Sequence, residues 1–465
     1  MKNEHNHSII LNTDSYKFSQ WKQYPPGTTH VYSYIESRGG EWDKTVFFGL
    51  QAFIKEYLCN PITQADIDEA EEVVNKHIGP GVFNREGWEH ILREHAGFLP
   101  VLIKAAPEGC IIPTHNVLVT IVNTDPKCFW LTSYLETALL RAVWYPTTVA
   151  TNSYESKKII LKYLEKTGDA SSIQFKLHDF GARGVSSLES AAIGGLAHLV
   201  NFMGTDTVSA LLAATDYYDA DMAGFSIPAM EHSTVTSWGR ENEVDSYRNM
   251  VKTYGREGSI IACVSDSYDI YNACELWGTT LKQDVIDSGA TVVIRPDSGD
   301  PATVVLDCLK ILEKNFGSVV NDKGYRVLNN VRVIQGDGIN HHSIREILEA
   351  ITSWGFSADN VAFGQGGALL QQINRDTLKF AMKCSTAKVN GKFIDVFKDP
   401  VTDHGKRSKK GFMILVRENG EYRTITSNDP EYGLVDGLTD ELQPVFLRGY
   451  LVRNMTLDEI RKNAN

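Results

Sequence analysis

The 465-residue sequence lacks the features of a membrane or disulfide-stabilised protein. No apolar run approaches the roughly 20 residues that a membrane-spanning helix needs. The first residues, MKNEHNHSII, lack a basic stretch followed by an apolar core, so we expect no export by a signal peptide. The seven cysteines include no CxxC pair, which argues against a disulfide framework or a zinc cluster. A cytoplasmic protein is the expectation.

Positive charge is also in short supply. Lysine and arginine together number 46 against 58 acidic residues, and the net charge is −12. Such a chain is not expected to bind nucleic acid or a membrane surface by general electrostatic attraction. Any anionic ligand must be held by a local site. With 42% hydrophobic residues, the chain can bury a large core and is expected to divide into two domains.

From about residue 173 onward, short apolar runs recur, and each ends in polar residues or glycine. The runs are IQFKLHDFG, GFSIPAMEH, SIIACVSDS, ATVVIRPDSG, VRVIQGDG and NVAFGQGG. Segments of helical period lie between several of them, at residues 186–202, 302–316 and 342–354. Two of these segments begin with a Ser-x-x-Glu pattern, Ser186 with Glu189 and Ser343 with Glu346, which predicts capping boxes.

Alternating strands and helices predict an α/β fold with a parallel sheet. We expect an irregular parallel α/β barrel over residues 171–379, with a doubly wound open sheet as the alternative. Residues 1–170 predict a second module, with helices at 46–58, 64–77, 131–144 and 151–166 around a β-rich stretch at 101–122. Residues 380–465 have strand-like pieces that we expect to pack on this module, which gives a flanking α/β domain built from both chain ends.

In either parallel architecture, ligands bind at the carboxyl ends of the strands. The expected strand tips carry Asp179, Phe180, Arg183, His232, Asp266, Arg295, Asp297, Gly336, Asp337, Gly364, Gly366 and Gly367. Arginines bind phosphate, aspartates accept hydrogen bonds from sugar hydroxyls or hold Mg²⁺, and glycines let backbone amides approach phosphate oxygens. These residue types suit a phosphorylated sugar.

Each of these residues also has an ordinary structural explanation. Arg295 and Asp297 could form an ion pair at a strand end. The glycines of GQGG could serve a turn that needs positive φ. His232 could be a partly buried, hydrogen-bonded histidine, and Phe180 could be a core residue. The functional interpretation depends on their convergence at one end of the sheet.

Longer strings carry a family resemblance. LNTDSYKFSQWKQYPPGTTHVYSYIESRG, LHDFGARGVSS, NFMGTDTV, EHSTVTSWG, VSDSYDIYNAC, VIRPDSGDP, VIQGDG and VFKDPVTDHGKRSKKG resemble the nicotinamide phosphoribosyltransferases, in order along nearly the whole chain. The resemblance implies a type II phosphoribosyltransferase fold and a homodimer with shared active sites. It also implies the conversion of nicotinamide and phosphoribosyl pyrophosphate to nicotinamide mononucleotide and pyrophosphate in NAD salvage, with Mg²⁺ and stimulation by ATP hydrolysis.

The resemblance further implies roles for particular residues. Phe180 and the partner subunit's Tyr16 would sandwich the pyridine ring, and Asp206 would accept a hydrogen bond from the carboxamide. Further residues are expected to contact the substrates: Asp14, Arg183, Ser226 and Arg295. Ala262 replaces a small polar residue that lines the substrate tunnel in the family.

Other residues are implied for the sugar, the phosphates and the metal ion. Asp266 and Asp297 would hold Mg²⁺ and the ribose, and His232 would be the histidine that ATP phosphorylates. The cradle for ribose and 5′-phosphate would be Gly336, Asp337, Gly366 and Gly367. Cations from the partner subunit would reach the phosphates: Arg375 and Lys383 the 5′-phosphate, and Arg38, Lys398 and Lys406 the pyrophosphate.

Two alternatives stay open from the sequence. A nicotinate phosphoribosyltransferase would share the fold and the phosphoribosyl donor, but the carboxylate of Asp206 favours an amide over an acid as acceptor. A non-catalytic role, as a secreted signalling protein or a nucleotide sensor, is disfavoured because RPDSG, EHS and HDFG are all present.

Overall fold

The computed structural model of the protein describes residues 8–399, 402, 408–427 and 438–465. The chain forms two compact units. Unit 1 comprises Met1–Thr151, Asp216–Ala220 and Asn374–Asn465, and unit 2 comprises Asn152–Thr215 and Asp221–Ile373. Unit 1 is therefore assembled from both ends of the chain and a short internal segment.

The strands of the described residues are numbered in chain order. They are β1 (Thr28–Ser37), β2 (Lys44–Val46), β3 (Val101–Ala105), β4 (Ile111–Pro113), β5 (Val117–Asn123), β6 (Leu177–Asp179), β7 (Gly204–Thr205), β8 (Ile260–Val264), β9 (Thr291–Arg295), β10 (Ser318–Val320), β11 (Arg326–Leu328), β12 (Val331–Gln335), β13 (Val361–Gln365), β14 (Phe380–Val389), β15 (Lys392–Asp395), β16 (Phe412–Glu418), β17 (Glu421–Ser427), β18 (Gln443–Leu447) and β19 (Tyr450–Leu451).

The helices are numbered in the same way. They are α1 (Leu50–Phe53), α2 (Gln64–His77), α3 (Arg85–Glu94), α4 (Leu131–Tyr134), α5 (Glu136–Thr167), α6 (Leu188–His198), α7 (Val208–Tyr218), α8 (His232–Thr236), α9 (Glu243–Tyr254), α10 (Ile270–Gly278), α11 (Lys282–Ser288), α12 (Pro301–Phe316), α13 (His341–Ser353), α14 (Gly367–Leu370) and α15 (Leu457–Asn463). Among the described residues, no helix has the length and apolar character needed to cross a membrane.

Unit 1 is built on a seven-stranded sheet in the order β15-β14-β1-β5-β3-β18-β19. The interior strand β1 has the sequence TTHVYSYIES, whose β-branched and aromatic residues favour a strand, and it pairs antiparallel with β14 and β5. Its neighbour β14 comes from the C-terminal part of the chain. The backbone hydrogen bonds of the sheet thus join the two chain ends.

Unit 2 is built on a parallel sheet in the order β7-β6-β13-β12-β9-β8. Its strands are short and rich in buried valine and isoleucine, because a parallel sheet is covered on both faces. Helix α12 packs against α10 and α13, and also contacts β12. The predicted α/β class and parallel sheet are confirmed.

The two edge strands of this sheet are bridged by the segment around Pro228. The Thr205 N–H donates to the Phe225 carbonyl on one side, and the Ala262 N–H donates to the Pro228 carbonyl on the other. Proline has no N–H to donate, so GFSIPAMEH forms isolated parallel bridges and not the regular strand that its apolar residues predict. The sheet thereby curls into an irregular barrel.

Both predicted capping boxes are wrong in their details. Ser187, one residue after the predicted Ser186, is the extended N-cap of α6, and its side chain accepts from the Ser190 N–H. Helix α13 is capped by Asn340, and Ser343 provides the reciprocal bond from inside the first turn. An asparagine side chain caps as well as serine does, so the sequence offered two possible starts.

Candidate active site

The motif RPDSGDP forms a strand, a turn and the start of a helix. Strand β9 ends at Arg295, and Gly299 takes a positive φ of +84° in the turn. The side chain of Asp300 caps α12 by accepting from the Thr303 N–H at 2.9 Å, and Pro301 occupies the first turn, where a missing N–H costs nothing. The last residues of the motif therefore shape the backbone, and Arg295 and Asp297 are left at the strand tip.

Arg295 and Asp297 form the ion pair that the sequence allowed, with 2.8 Å between Arg295 Nη2 and Asp297 Oδ2. Asp266 joins them, because its Oδ2 accepts from the Asp297 backbone N–H at 3.0 Å and from the Ser298 hydroxyl at 2.6 Å. Arg295 Nε and Asp266 Oδ1 are buried and have no hydrogen-bond partner among the described residues. Buried polar atoms in folded proteins are nearly always paired, so this tip keeps a donor and an acceptor for a ligand.

His232 lies beside the same carboxylates. Its Nε2 is 3.7 Å from Asp266 Oδ1 and 3.6 Å from Asp297 Oδ2, and its Nδ1 lies 3.1 Å from the Ser267 hydroxyl oxygen. The imidazole is 45% exposed, so His232 is a partly buried, hydrogen-bonded histidine, as the alternative allowed, and its ring is also open to solvent. An exposed, oriented imidazole next to two carboxylates is suited to phosphoryl or proton transfer.

Phe180 follows β6, and its ring lies directly over a glycine of the neighbouring strand. The Phe180 N–H donates to the Gln365 carbonyl at 3.0 Å. A Cβ atom added to Gly364 would be 2.0 Å from Phe180 Cε2, and one added to Gly336 would be 3.4 Å from the same atom. The half-buried ring also packs on an apolar cluster that includes the predicted tunnel residue Ala262. Phe180 thus lies at the carboxyl ends of the barrel strands and is not a fully enclosed core residue.

The backbone of Asp206 is hydrogen-bonded to the residue that precedes Phe180. Its backbone N–H donates to the Asp179 carbonyl at 3.0 Å, and its Oδ1 accepts from the Ser226 hydroxyl at 2.5 Å. Its side chain is exposed. The second carboxylate oxygen, Oδ2, can therefore accept a hydrogen bond from a donor such as the amide N–H of a ligand.

Asp179, the residue directly before Phe180, is fully buried. Burial raises the pKa of Asp179 to about 6, although the Gly181 N–H, which donates to its Oδ1 at 2.7 Å, acts in the opposite direction. Removal from water disfavours a charged carboxylate. Asp179 therefore supports the backbone around Phe180 and does not face solvent.

The glycines of GQGG do not serve a left-handed turn. Gly364, Gly366 and Gly367 all lie outside the positive-φ residues. A Cβ on Gly367 would meet no atom within 4 Å, and one on Gly366 would be 3.7 Å from the Phe180 carbonyl oxygen. Only at Gly364 would an added Cβ atom be too close to its neighbours. The space next to Gly366 and Gly367 is open, as a phosphate-binding site requires.

Two buried glutamines belong to the same strand tips and were not predicted. Gln335 ends β12 and Gln365 ends β13. The amide atoms of Gln365, and the amide oxygen of Gln335, have no hydrogen-bond partner among the described residues. The sequence signal was present in VIQGDG and AFGQGG, where each glutamine directly precedes a predicted tip glycine.

Unit 1 brings together a second set of predicted residues. Tyr16 is 58% exposed and lines a cleft of about 460 Å³ with Lys383. The Lys17 ammonium lies 5.0 Å from the centre of the Tyr16 ring. Asp14 precedes this segment, and its carboxylate accepts from the Thr137 hydroxyl at 2.6 Å.

Positive charges cluster around Lys383. Burial lowers the pKa of its ammonium, Glu136 raises it, and the charges of Arg38, Lys17 and Arg375 lower it further. Three of these cations are also paired with carboxylates, Lys17 with Glu136, Arg38 with Glu36 and Arg375 with Asp376, so an anion bound here would compete with those ion pairs.

Two predicted cations remain, Lys398 and Lys406. The Lys398 backbone N–H donates to the Ser408 hydroxyl at 2.9 Å. Lys406 lies outside the described residues.

The residues predicted for Mg²⁺ fit that ion in part. Mg²⁺ in sites that bind phosphorylated substrates is usually held by one or two carboxylates, and water and substrate phosphates complete its octahedron. Asp266 and Asp297 supply two carboxylates near one another, and Asp266 Oδ1 is buried without a hydrogen-bond partner among the described residues. The pair can therefore hold Mg²⁺ together with a phosphorylated substrate.

Comparison with known proteins agrees with this geometry. Residues 175–441 match the model of the nicotinate phosphoribosyltransferase (NAPRTase) family, and residues 8–103 match the nicotinamide phosphoribosyltransferase N-terminal domain. Two solved structures share the fold. One is nicotinate-nucleotide pyrophosphorylase from Pyrococcus furiosus (TM-score 0.62, 17% identity, 100% of this chain and 97% of that one), and the other is human nicotinic acid phosphoribosyltransferase (0.58, 16%, 97% and 92%).

Among curated proteins, the chain is 57% identical over 463 residues to a nicotinamide phosphoribosyltransferase from Xanthomonas campestris pv. campestris, covering 98% of each chain. It is 34% identical to one from Acinetobacter baylyi, covering 97% of this chain and 95% of that one. Fold and strand-tip site define a type II phosphoribosyltransferase. Within that class, the chain belongs to the NAPRTase family and groups with its nicotinamide phosphoribosyltransferases, which confirms the resemblance found in the sequence.

Proposed function

We propose that the protein transfers the phosphoribosyl group of phosphoribosyl pyrophosphate to nicotinamide, forming nicotinamide mononucleotide and pyrophosphate in NAD salvage. The observation that carries this proposal is the position of Asp206, whose carboxylate is exposed while its backbone is bonded to the residue before Phe180. The full-length identity to a nicotinamide phosphoribosyltransferase supports it.

Phe180 and Asp206 would together select the acceptor base. The pyridine ring stacks on Phe180, and the partner subunit's Tyr16 covers its other face. Asp206 accepts one carboxamide N–H, while the carboxylate of nicotinate would meet a like charge. Two charges about 4 Å apart interact by roughly 1 kcal/mol in water and roughly 4 kcal/mol near a protein surface. That range corresponds to between about fivefold and several-hundredfold discrimination, which is enough to decide the substrate.

The chemistry needs no protein base. The pyridine nitrogen attacks the anomeric carbon with its own lone pair as the bond to pyrophosphate breaks, through an oxocarbenium-like state. The protein supplies position and charge. Arg295 neutralises phosphate and Asp297 organises the ribose. Asp266 and Asp297 would hold Mg²⁺, which would supply positive charge for the leaving pyrophosphate. Further contacts with the substrates come from Arg183, Gly336, Asp337, Gly366 and Gly367.

ATP would act through His232. One imidazole nitrogen attacks the γ-phosphorus of ATP, ADP leaves, and water later releases phosphate from the histidine. The exposed ring is oriented by Ser267 and flanked by Asp266 and Asp297. A phosphoryl group there would add negative charge for Mg²⁺ to bind beside the pyrophosphate, which is how ATP would stimulate synthesis.

We further propose a cytoplasmic homodimer in which each active site takes residues from both subunits. The partner's residues would be Tyr16, Arg38, Arg375, Lys383, Lys398 and Lys406. The exposure of Tyr16 and the several cations around Lys383 support this arrangement, because an exposed aromatic residue beside groups that can bind phosphate suits a shared site.

Product identification tests the proposed reaction. The purified protein is mixed with phosphoribosyl pyrophosphate, Mg²⁺ and either nicotinamide or nicotinate, with and without ATP, and the nucleotides are identified by mass spectrometry. Nicotinamide mononucleotide is expected, in larger amounts with ATP. Preferential formation of nicotinate mononucleotide would reject the choice of base. Binding of both substrates without release of pyrophosphate would favour a sensor over an enzyme.

A further inference from the structure

Two histidines and an aspartate converge in unit 1, in a part of the chain that the proposed reaction does not use. His90 Nε2 lies 2.8 Å from Asp125 Oδ2, and His95 Nε2 lies 2.7 Å from the same oxygen. The three potential ligand atoms all lie within 4.8 Å of one another, and no other group of three histidine, cysteine, aspartate or glutamate residues in the described ranges meets that condition.

Both histidines belong to the C-terminal half of α3: His90 lies within the helix, and His95 follows its last residue. Helix α3 buries Trp88, His90 and Ile91, so His90 is fixed by the packing of its own helix. His95 is the C-cap residue, with φ −123° and ψ 14°. The change from helical backbone turns a side chain five residues after His90 toward the same carboxylate.

Hydrogen bonds to the carboxylate Oδ1 and to the backbone carbonyl of Asp125 orient this residue and leave its Oδ2 for the histidines. Its Oδ1 accepts from the Lys127 N–H at 2.8 Å, and its carbonyl accepts from the Asn123 side-chain amide at 2.8 Å and from the Cys128 N–H at 2.9 Å. Outer hydrogen bonds that orient a ligand are a regular feature of protein metal sites.

We propose that His90, His95 and Asp125 bind a divalent transition-metal ion, with Zn²⁺ as the best fit. Two imidazole nitrogens and one carboxylate oxygen form a common zinc donor set, with a fourth position for water. Imidazole ligands favour transition metals, whereas Mg²⁺ prefers oxygen, so this site is chemically distinct from the one proposed at Asp266 and Asp297.

The geometry needs only a small adjustment to accept the ion. Metal–ligand bonds of about 2.0–2.2 Å place tetrahedral ligand atoms roughly 3.3 Å apart, so each imidazole nitrogen must move about half an ångström from the carboxylate oxygen. The proton on each Nε2 shifts to Nδ1, which leaves a neutral imidazole with its Nε2 lone pair facing the ion. The side chains are partly open to solvent, at 11% for His90, 21% for His95 and 17% for Asp125, which allows the ion to enter.

A bound ion would tie α3 to the segment after β5. Without metal, the same residues form a hydrogen-bonded clamp, in which two N–H donors share one oxygen. The clamp and the metal site make opposite predictions for metal binding, so binding decides between them.

The test uses the full-length protein after dialysis against a chelator. Co²⁺, which gives visible absorption bands when bound by imidazole, is titrated in, and Zn²⁺ is then added in competition. We expect one equivalent of Co²⁺ to bind and Zn²⁺ to displace it, in keeping with the ordinary order of metal affinities. The variant His95→Gln keeps an N–H donor for Asp125 but removes a strong ligand. Its affinity should fall by more than the roughly 10–100-fold that loss of an outer hydrogen-bond partner costs.

His342→Gln is the matched control, because His342 is an exposed histidine in unit 2 and should bind metal only incidentally. Circular dichroism establishes that each variant is folded, and Zn²⁺ should raise Tm for the wild type and His342→Gln but not for His95→Gln. Absence of saturable binding by the wild type would overturn the proposal in favour of the clamp. Equal binding by His95→Gln would overturn it by placing the ion elsewhere.

Discussion

The ring of Phe180 lies against the backbone of Gly364, so closely that a Cβ atom at residue 364 would be 2.0 Å from Phe180 Cε2. The glycine is therefore required by the position of an aromatic ring and not by its own backbone dihedrals, since its φ is not positive. A residue on β13 thus decides where a side chain after β6 can sit. Gly364 therefore fixes the position of the ring that we propose stacks on the acceptor base.

Gly364→Ala should displace the Phe180 ring and weaken nicotinamide binding. Overpacking of this kind costs about 1–3 kcal/mol, so we expect KM for nicotinamide to rise roughly 10-fold or more, with a smaller change in KM for phosphoribosyl pyrophosphate. Gly336→Ala is a graded comparison, because its Cβ would be 3.4 Å from the same ring atom, and since Gly336 is also a proposed ribose contact, only the two KM values for nicotinamide are compared. Steady-state kinetics with each substrate varied would measure both effects, and equal KM values in the two variants would contradict the role of Gly364.

Asp206→Asn should relax discrimination against nicotinate. The substitution removes the charge that repels a carboxylate, so the ratio of kcat/KM for nicotinamide over nicotinate should fall about 10-fold. Ser226→Ala removes the hydroxyl that donates to Asp206 Oδ1 but keeps the charge, and should retain most of the selectivity. Competition between the two bases in one reaction measures the ratio directly. An unchanged ratio in Asp206→Asn would assign selectivity to another residue.

His232→Ala should abolish stimulation by ATP while basal synthesis continues. The imidazole that ATP would phosphorylate is lost, but Phe180 and Asp206 remain in place. His232→Gln keeps a polar group near Asp266 and Asp297 and separates loss of the nucleophile from loss of a hydrogen-bonding side chain. Synthesis rates with and without ATP, together with ADP release, give the readout. Full stimulation in either variant would refute the assignment.

Hybrid dimers would test the shared active site. Tyr16→Ala and Phe180→Ala should each be nearly inactive, but a hybrid dimer of the two variants has one site with both aromatic residues intact. Random exchange of subunits in an equal mixture should therefore restore about a quarter of wild-type activity. The matched control mixes Tyr16→Ala with Tyr16→Ala/Phe180→Ala, which regenerates no intact site. Activity that stays at the level of this control after subunit exchange would argue that each site is formed by one chain.

The buried Asp179 predicts a pH-dependent stability difference. Because burial raises its pKa to about 6 in the folded protein, against about 3.9 in an unfolded chain, its contribution to stability is present below pH 4 and lost as pH rises through 6. Asp179→Asn has no charge to bury and can still accept from the Gly181 N–H. Relative to wild type, it should therefore gain stability between pH 4 and pH 7, by up to about 3 kcal/mol.

Chemical denaturation of the full-length protein at several pH values would measure this gain. Asp322→Asn, which changes an exposed carboxylate in the same unit, should show no comparable trend. A stability difference between Asp179→Asn and wild type that does not change with pH would show that the carboxyl group is not held in a raised-pKa environment.

The parallel sheet could be read from the sequence because its signals are local. Runs such as TVVIR and VRVIQ are β-branched, short and followed by helical segments, and each signal lies within about 20 residues. The helix starts were less certain, since Ser187 and Ser186, or Asn340 and Ser343, are chemically similar caps. Because Pro228 has no backbone N–H to donate, the segment around it forms isolated bridges where its apolar pattern predicted a strand.

The sequence by itself determined which chemical groups are present at the strand tips, because motifs such as RPDSG and HDFG combine a strand ending with residues that bind phosphate, sugar and aromatic rings. Only the tertiary structure decided how residues far apart in the chain meet. Asp297 and Asp266 are joined through a backbone N–H, Gly364 makes room for Phe180, and His90 and His95 share an oxygen of Asp125. The physical reason is that ion pairs, ring contacts and metal ligation depend on distances of a few ångströms, and packing between separate segments sets those distances.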